Sequence, residues 1–296
     1  MQVASLWRFP CKSMLGQSVG EVRLTERGVV GDRAYALVDP DDGKVVSAKN
    51  PRKWGRVLEL AAAFVDEPTP GDAPPPITVT FPDGEAVRSD DHRIDKAIEA
   101  FLGRPAKLTS VPSGQPTMEE TWPDGVDGLA PDAFIASTRI TTDDPSETVS
   151  DIAMGLVAPP GTFFDVASLH LMTTATLHRL AELHPDGDFD VRRYRPNVVV
   201  DADDEGFVEN EWVGKTVGLG PDDAATGMRV TLPTMRCIMT TLAQPTLGLD
   251  RDPSLLLTIA RNNRIEIGGG QWACAGVYGD SIGAGTVKVG DPVSLR

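Results

Sequence analysis

Arg236 and Cys237, within Thr234-Met235-Arg236-Cys237-Ile238-Met239-Thr240-Thr241, are the residues of this chain best suited to soft-metal or nucleophilic chemistry. A guanidinium beside a thiol favours the thiolate, the form that attacks electrophiles and binds soft metals. The flanking Val230-Thr231-Leu232-Pro233 and Ile238-Met239-Thr240-Thr241 read as strand or strand edge. A cysteine that only fills space in a strand is the competing assignment. These residues alone leave both open.

Three further stretches read as site-forming. Pro10-Cys11-Lys12-Ser13 ends a first strand and offers an ammonium and a hydroxyl. Gly31-Asp32-Arg33 places a guanidinium at the mouth of a buried strand, and Arg195-Pro196-Asn197 does the same, with the proline restricting the entry geometry. Ammonium and guanidinium groups at strand mouths suit a phosphorylated ligand, to which they give charge-assisted hydrogen bonds. The surrounding charge makes them conspicuous. With 28 basic against 43 acidic residues the chain carries a net charge of −15, which disfavours nonspecific binding to nucleic acid or an anionic membrane. Basic islands at 49–53 and 192–195 on that background point to an anionic small molecule, with ordinary surface ion pairing as the alternative.

Several chemistries are excluded. Cys11, Cys237 and Cys274 form no CxxC pair and no zinc-type spacing, so neither a disulfide framework nor a structural zinc site is expected. The Gly268-Gly269-Gly270 run lacks the Lys-Ser/Thr of a phosphate loop and precedes a strand instead of a helix. No apolar run approaches the roughly 20 residues of a membrane span. The first ten residues alternate like a strand and lack the order of a signal peptide. A cytoplasmic protein is expected.

The elements that must position these residues are mainly strands. Residues 1–110 show short alternating or apolar runs with close turns and a single helix over 94–102, which ends at Gly103. Residues 111–160, rich in Pro, Gly, Asp, Thr and Ser, read as a long connection or lid with little regular structure. Residues 161–296 return to strands, with a helix capped by Thr173-Thr174 and a final hairpin arm over 285–293. The expected fold is mainly β with a few helices, residues 1–110 reading as a small β-barrel or sandwich.

Five segments resemble one family in its own order. They are Arg8-Phe9-Pro10-Cys11-Lys12-Ser13, Gly31-Asp32-Arg33-Ala34-Tyr35-Ala36-Leu37-Val38, Tyr194-Arg195-Pro196-Asn197-Val198-Val199-Val200, Arg236-Cys237-Ile238-Met239-Thr240-Thr241 and Gly285-Thr286-Val287-Lys288-Val289-Gly290-Asp291-Pro292-Val293. The family is that of MOSC-domain proteins with an N-terminal MOSC β-barrel, a resemblance that spans nearly the whole chain. It implies an N-terminal β-barrel-like domain and a second, MOSC β-barrel domain. It also implies a molybdenum cofactor, a pterin dithiolene holding molybdenum with a protein cysteine as a further ligand. By similarity to the mitochondrial amidoxime-reducing component, Cys237 would be that metal ligand and the catalytic residue. Lys12, Ser13, Arg33 and Arg195 would hold the pterin and its phosphate, with Asn197 and Arg236 as neighbours. Asp165 matches an acidic position near the cofactor.

The activity so implied is two-electron reduction of N-hydroxylated small molecules. The chain has no Cys-rich iron–sulfur motif, so electrons would come from a separate protein: a ferredoxin, a b-type cytochrome or a flavoprotein reductase. Neither nucleic acid nor a membrane is an expected partner. The alternative is a cofactor- or sulfur-carrying module without substrate turnover, since the MOSC domain takes its name from molybdenum cofactor sulfurases.

Overall fold

A computed structural model describes residues 1–110, 114–123, 128–142, 144, 146–155, 158–159, 161–203, 205–221 and 226–296. Its largest element is a nine-stranded sheet, ordered Gln17–Val19, Gln2–Arg8, Val198–Asp201, Leu169–Thr173, Gly270–Ile282, Gly227–Met235, Thr216–Leu219, Val293–Leu295, with Arg264–Ile267 also on Gly270–Ile282. The N-terminal strand is thus built into a sheet made mostly from the last third of the chain. It pairs antiparallel with Val198–Asp201, which runs parallel to Leu169–Thr173. The parallel step is made by the helix Thr174–Leu183, the crossover that parallel neighbours require.

Alternation places Val3, Leu6, Leu169, Leu171, Val198, Val200, Met228, Val230 and Val277 in one core. A second core gathers Leu37, Trp54, Val57, Leu60, Ile77, Val79 and Ile98 from the N-terminal region. It lies among the three-stranded sheet of Ala61–Phe64, Ile77–Thr80 and Ala86–Arg88 and the helix Ile94–Leu102. That helix ends at Gly103 in the left-handed region, φ 74°, as its sequence predicts.

Four expectations are corrected. Residues 111–160, expected to hold little regular structure, fold as a three-stranded sheet among the described residues. Thr117–Trp122 pairs in full register with Thr148–Ala153, Arg139–Ile140 adds a third strand, and the helix Asp132–Thr138 lies between them. The alternation of Met118, Glu120 and Trp122 inward was hidden because one inward residue is a carboxylate. Residues 111–113, 124–127, 143, 145, 156–157 and 160 of that stretch lie outside the described residues.

Ile238–Thr241 is a 3₁₀ turn, not a strand. The Thr240 and Thr241 hydroxyls donate to the carbonyls of Cys237 and Ile238, a local alternative to ladder bonds. The expected final hairpin is absent. Gly285–Lys288 pairs with Glu21–Thr25, while Val293–Leu295 pairs with Thr216–Leu219. The 49–53 island also divides, because Arg52 and Lys53 form ion pairs away from the cavity, with Asp144 and Glu147 and with Asp39.

The sheet is bent where the chemistry leaves it. Two register shifts interrupt the pairing of Gly227–Met235 with Gly270–Ile282, the second between Pro233 and Met235. Such bulges turn the strand and re-aim the residues that follow, here Arg236 and Cys237. On the opposite side, Thr173 caps its helix by accepting from the Thr176 amide at 3.1 Å and donates to the buried Glu209 carboxylate at 2.7 Å. We predict that Thr173→Ala lowers stability by about 1–2 kcal/mol in urea unfolding without changing the slope, since it removes both the cap and one of the donors to Glu209.

Candidate active site

The segment after the first strand and the turn before Ala36–Val38 are joined by backbone bonds. Arg33 N donates to Phe9 O, Tyr35 N to Pro10 O and Lys12 N to Tyr35 O. Asp32 Oδ1 accepts from the Phe9 amide at 2.7 Å, which locks this junction. Lys12 and Arg33, 21 residues apart in sequence, thereby reach one cavity. Arg195 joins them, its guanidinium 4.2 Å and that of Arg33 4.8 Å from the Phe9 ring centre. The ring faces are the attractive side for a cation. Arg195 also donates to Met14 O at 2.7 Å.

All eight residues singled out from the sequence line this one cavity: Lys12, Ser13, Arg33, Asp165, Arg195, Asn197, Arg236 and Cys237. Three of them share a second property. Ser13, Arg33 and Arg195 have φ of 64°, 46° and 57°, and among the described residues no other non-glycine has a positive φ. Left-handed backbone at a side-chain-bearing residue costs of order 1–3 kcal/mol and persists where the surroundings enforce it, typically at ligand sites.

The eight do different work. Asn197 ties strands together, accepting from the His170 amide at 3.2 Å and exchanging main-chain bonds with Trp7 and His170. Arg236 is almost fully engaged by the protein. It donates to Ala275 O at 2.7 Å and Tyr194 O at 3.1 Å, and its Nη2 lies 2.6 Å from His170 Nε2. His170 must therefore accept at Nε2 and be neutral, in keeping with a pKa pushed well below the usual value by burial and then by Arg236. Arg236 is held by two backbone carbonyls and His170 and is not a free cation. Of the 192–195 island only Arg195 is a strong ligand-facing group. Arg193 is buried and donates to three backbone carbonyls, and Arg192 pairs with Asp190.

Residues that sequence reasoning left without a role complete the site. Lys49 bridges Asp165 at 3.2 Å and Glu120 at 3.1 Å, and Asp165 in turn pairs with Lys12. Burial opposes the Lys49 charge, but Glu120 and then Cys237 more than offset it, so its pKa is raised. Lys12 goes the other way. Burial, then Lys49, Arg33 and Arg195, push its pKa well below that of an ordinary lysine, with Cys237 acting the other way. Burial and Arg33 likewise depress Arg195. A guanidinium keeps its proton, so that depression reflects the cost of burying the charge and then of crowding it. The Lys49 signal was present in the 49–53 island. Glu120 gave none, because its strand was not legible.

Cys237 departs from expectation in one respect. Burial raises its thiol pKa, and Lys49 is the foremost opposing charge, ahead of Arg236. Its neighbour in sequence is therefore not the main charge that favours the thiolate. Cys11 and Cys274 are packed core thiols, each pushed up to about 12, foremost by burial.

Among the described residues no group of three His, Cys, Asp or Glu could hold a metal ion. One cysteine beside an anion-binding cluster fits a metal that arrives already chelated within an anionic organic group. The residues present fit a molybdenum–pterin cofactor in that sense: cationic groups for its phosphate and one soft sulfur for the metal.

The family model of the MOSC N-terminal beta barrel domain matches residues 1–61, and that of the MOSC domain matches residues 160–294. The chain belongs to the MOSC-domain proteins and has their fold, mainly β with an N-terminal MOSC barrel domain and a MOSC domain. MOSC domains are associated with molybdenum cofactor sulfurase-like proteins, and the family is linked to binding of that cofactor. No curated protein matches the chain. A crystal structure of the YUAD protein from Bacillus subtilis aligns at 10% identity and a TM-score of 0.44, over 99% of this chain and 94% of that one. No helix among the described residues is long and apolar enough to cross a membrane.

Two predictions follow from this geometry. A Cβ on Gly276, φ 79°, would lie 2.8 Å from both His170 Nε2 and Leu171 O, so Gly276→Ala should cost about 1–3 kcal/mol in chemical denaturation and disturb the His170–Arg236 contact. Inorganic phosphate should raise the melting temperature of the wild type, and much less that of Arg195→Ala. Because the folded state disfavours protonated Lys12, stability without phosphate should rise as pH climbs through its lowered pKa towards 10.5. Phosphate binding needs the charged amine, so the phosphate-induced shift should shrink over the same range in thermal melts.

Proposed function

We propose that this MOSC-domain protein binds the molybdenum cofactor and reduces N-hydroxylated small molecules with electrons from a separate protein. The observation that carries the reading is the convergence of Cys237 with three left-handed residues, two of them arginines, on one cation-rich cavity. The overall change is R–NHOH + 2 e⁻ + 2 H⁺ → R–NH₂ + H₂O, in which the N–O bond breaks and the oxygen leaves as water. The bound cofactor would supply two-electron redox chemistry at its metal.

This chain's residues would do the rest. Lys12, Arg33 and Arg195 would bind the phosphate end, and the Ser13 hydroxyl, which accepts from the Ala48 amide at 3.2 Å, would hold the adjoining loop. The Cys237 thiolate would ligate the metal, with Lys49 as the nearest balancing charge. The Lys12–Asp165–Lys49–Glu120 chain fixes the wall between the cationic cavity and the space on the far side of the cysteine. The electron donor would be a ferredoxin, a b-type cytochrome or a flavoprotein reductase.

A carrier module would use the same thiol and the same cations. The reading as a reductase is favoured by a second, apolar chamber that opens on Cys237, because a carrier needs no place for an organic substrate. The protein should be purified from a host that makes the cofactor, beside Cys237→Ser and Arg195→Ala. Near-stoichiometric molybdenum and pterin are expected in the wild type. The cysteine variant should lose metal, and the arginine variant should lose pterin and metal together, each with its fold intact by circular dichroism. Metal retained in full by Cys237→Ser would refute the ligand assignment. A fully loaded wild type that turns over no N-hydroxylated compound with any of the three donor classes would leave the carrier as the better reading.

A further inference from the structure

The chamber beyond Cys237 has a different chemistry from the cavity that holds the cations. It is about 520 Å³, within the usual size of small-molecule sites, and it shares Lys49, Asp165, Arg236, Cys237 and Tyr278 with the cationic cavity. Its walls are Met118, Trp122, Phe134 and Ile152 from the small sheet and helix, facing Leu232 and Trp272 of the large sheet. The three aromatic rings form a continuous edge-packed surface, Trp122 to Phe134 at 6.1 Å and Phe134 to Trp272 at 5.0 Å.

The polar parts of that wall are already satisfied. Trp122 Nε1 donates to Ser150 Oγ at 2.8 Å and Trp272 Nε1 to Ile267 O at 3.2 Å, which leaves ring surface for a ligand. At the Cys237 end, Lys49 is balanced by Glu120 and Asp165, and Arg236 is held by carbonyls. This end therefore lacks the uncompensated positive charge of the neighbouring cavity and does not select an anion. The glycine run 268–270 also finds a role here. A Cβ on Gly270 would lie 2.1 Å from Pro131 Cγ, so glycine lets the tip of the hairpin seat against the start of the Asp132–Thr138 helix and close the aromatic wall.

We propose that this chamber is the acceptor-substrate site and that it selects an uncharged molecule with an aromatic body. The polar end of that molecule would face Cys237 and its body would lie against Trp122, Phe134 and Trp272. The orientation of the polar end rests on the function proposed above. Binding of the apolar body rests on the chamber alone, and Met118, Trp122, Phe134 and Ile152, which supply the distinguishing wall, lie between the two family matches.

The test uses N-phenyl-1-naphthylamine, a neutral aromatic fluorophore, titrated into the purified full chain and into Cys237→Ser. One saturable site per chain is expected in both proteins. Phe134→Ala should weaken it by about tenfold, through loss of one ring face. Ala133→Trp, which adds bulk to the lining, should weaken it as well. Melting curves identify any variant that has lost its fold, and since the two changes act in opposite steric directions either one can decide. No saturable binding to the wild type, or wild-type affinity in folded forms of both variants, would overturn the proposal.

With loaded protein, kcat/KM for benzamide oxime should exceed that for acetamide oxime, and Phe134→Ala should narrow the ratio about tenfold. An unchanged ratio would overturn the assignment as a substrate site. Fluorophore binding without turnover of either oxime would instead reject the proposed reduction and with it the acceptor-substrate role, while keeping the chamber as a binding site for apolar aromatic molecules.

Discussion

The structure depends on holding several cations together against their mutual repulsion. Two unit charges about 4 Å apart in a partly buried protein site repel by roughly 4 kcal/mol, and Lys12, Arg33, Lys49 and Arg195 share one cavity. The Phe9 ring offers its π-surface to two of them, Asp32 holds Arg33 from behind, and Asp165 is divided between two lysines. Burial, and then the repulsion that remains, depress Lys12 and Arg195. A site arranged this way is electrostatically complementary to a multiply charged anion, on a chain that is otherwise strongly acidic.

Backbone geometry and charge reinforce each other there. Ser13, Arg33 and Arg195 adopt a conformation that side-chain-bearing residues avoid, and each is locked by long-range pairing: to the Ala48 amide, to Phe9 and to Met14. Strain of this kind is stable only because the N-terminal strand is stitched into the sheet of the C-terminal region. The fold and the cation-rich cavity are therefore coupled, and neither family-matched segment supplies that cavity alone.

Cys237 stands at the boundary of two environments. On one side are cations; on the other are aromatic rings whose polar atoms are already bonded. Lys49 spans that boundary, linked to Asp165, which lines both sides, and to Glu120 on the second. A soft ligand at such a junction can face a charged cofactor and an apolar substrate together. This division of labour is what the bulge in the Gly227–Met235 strand and the Gly276 position make geometrically possible.

The sequence by itself determined the mainly β class, the helix over 94–102, the Thr173 cap and, with the family resemblance adding Asp165, the eight residues that meet in the cavity. Those features are local: alternation, capping residues, and side chains with unmistakable chemistry at strand mouths. Tertiary structure decided the rest. Whether Arg236 serves a ligand or the backbone depends on Ala275 and Tyr194, roughly 40 residues away in the chain. Lys49 became a site residue only through Asp165 and Glu120, and Glu120 lay on a strand whose alternation its own charge concealed. The Cys237 thiol was misjudged for the same reason, because burial opposes the thiolate and Lys49, ahead of the adjacent arginine, is the foremost charge that favours it. Neighbours in sequence set residue type and local conformation, but charge balance is set by neighbours in space, which only the closed fold brings together.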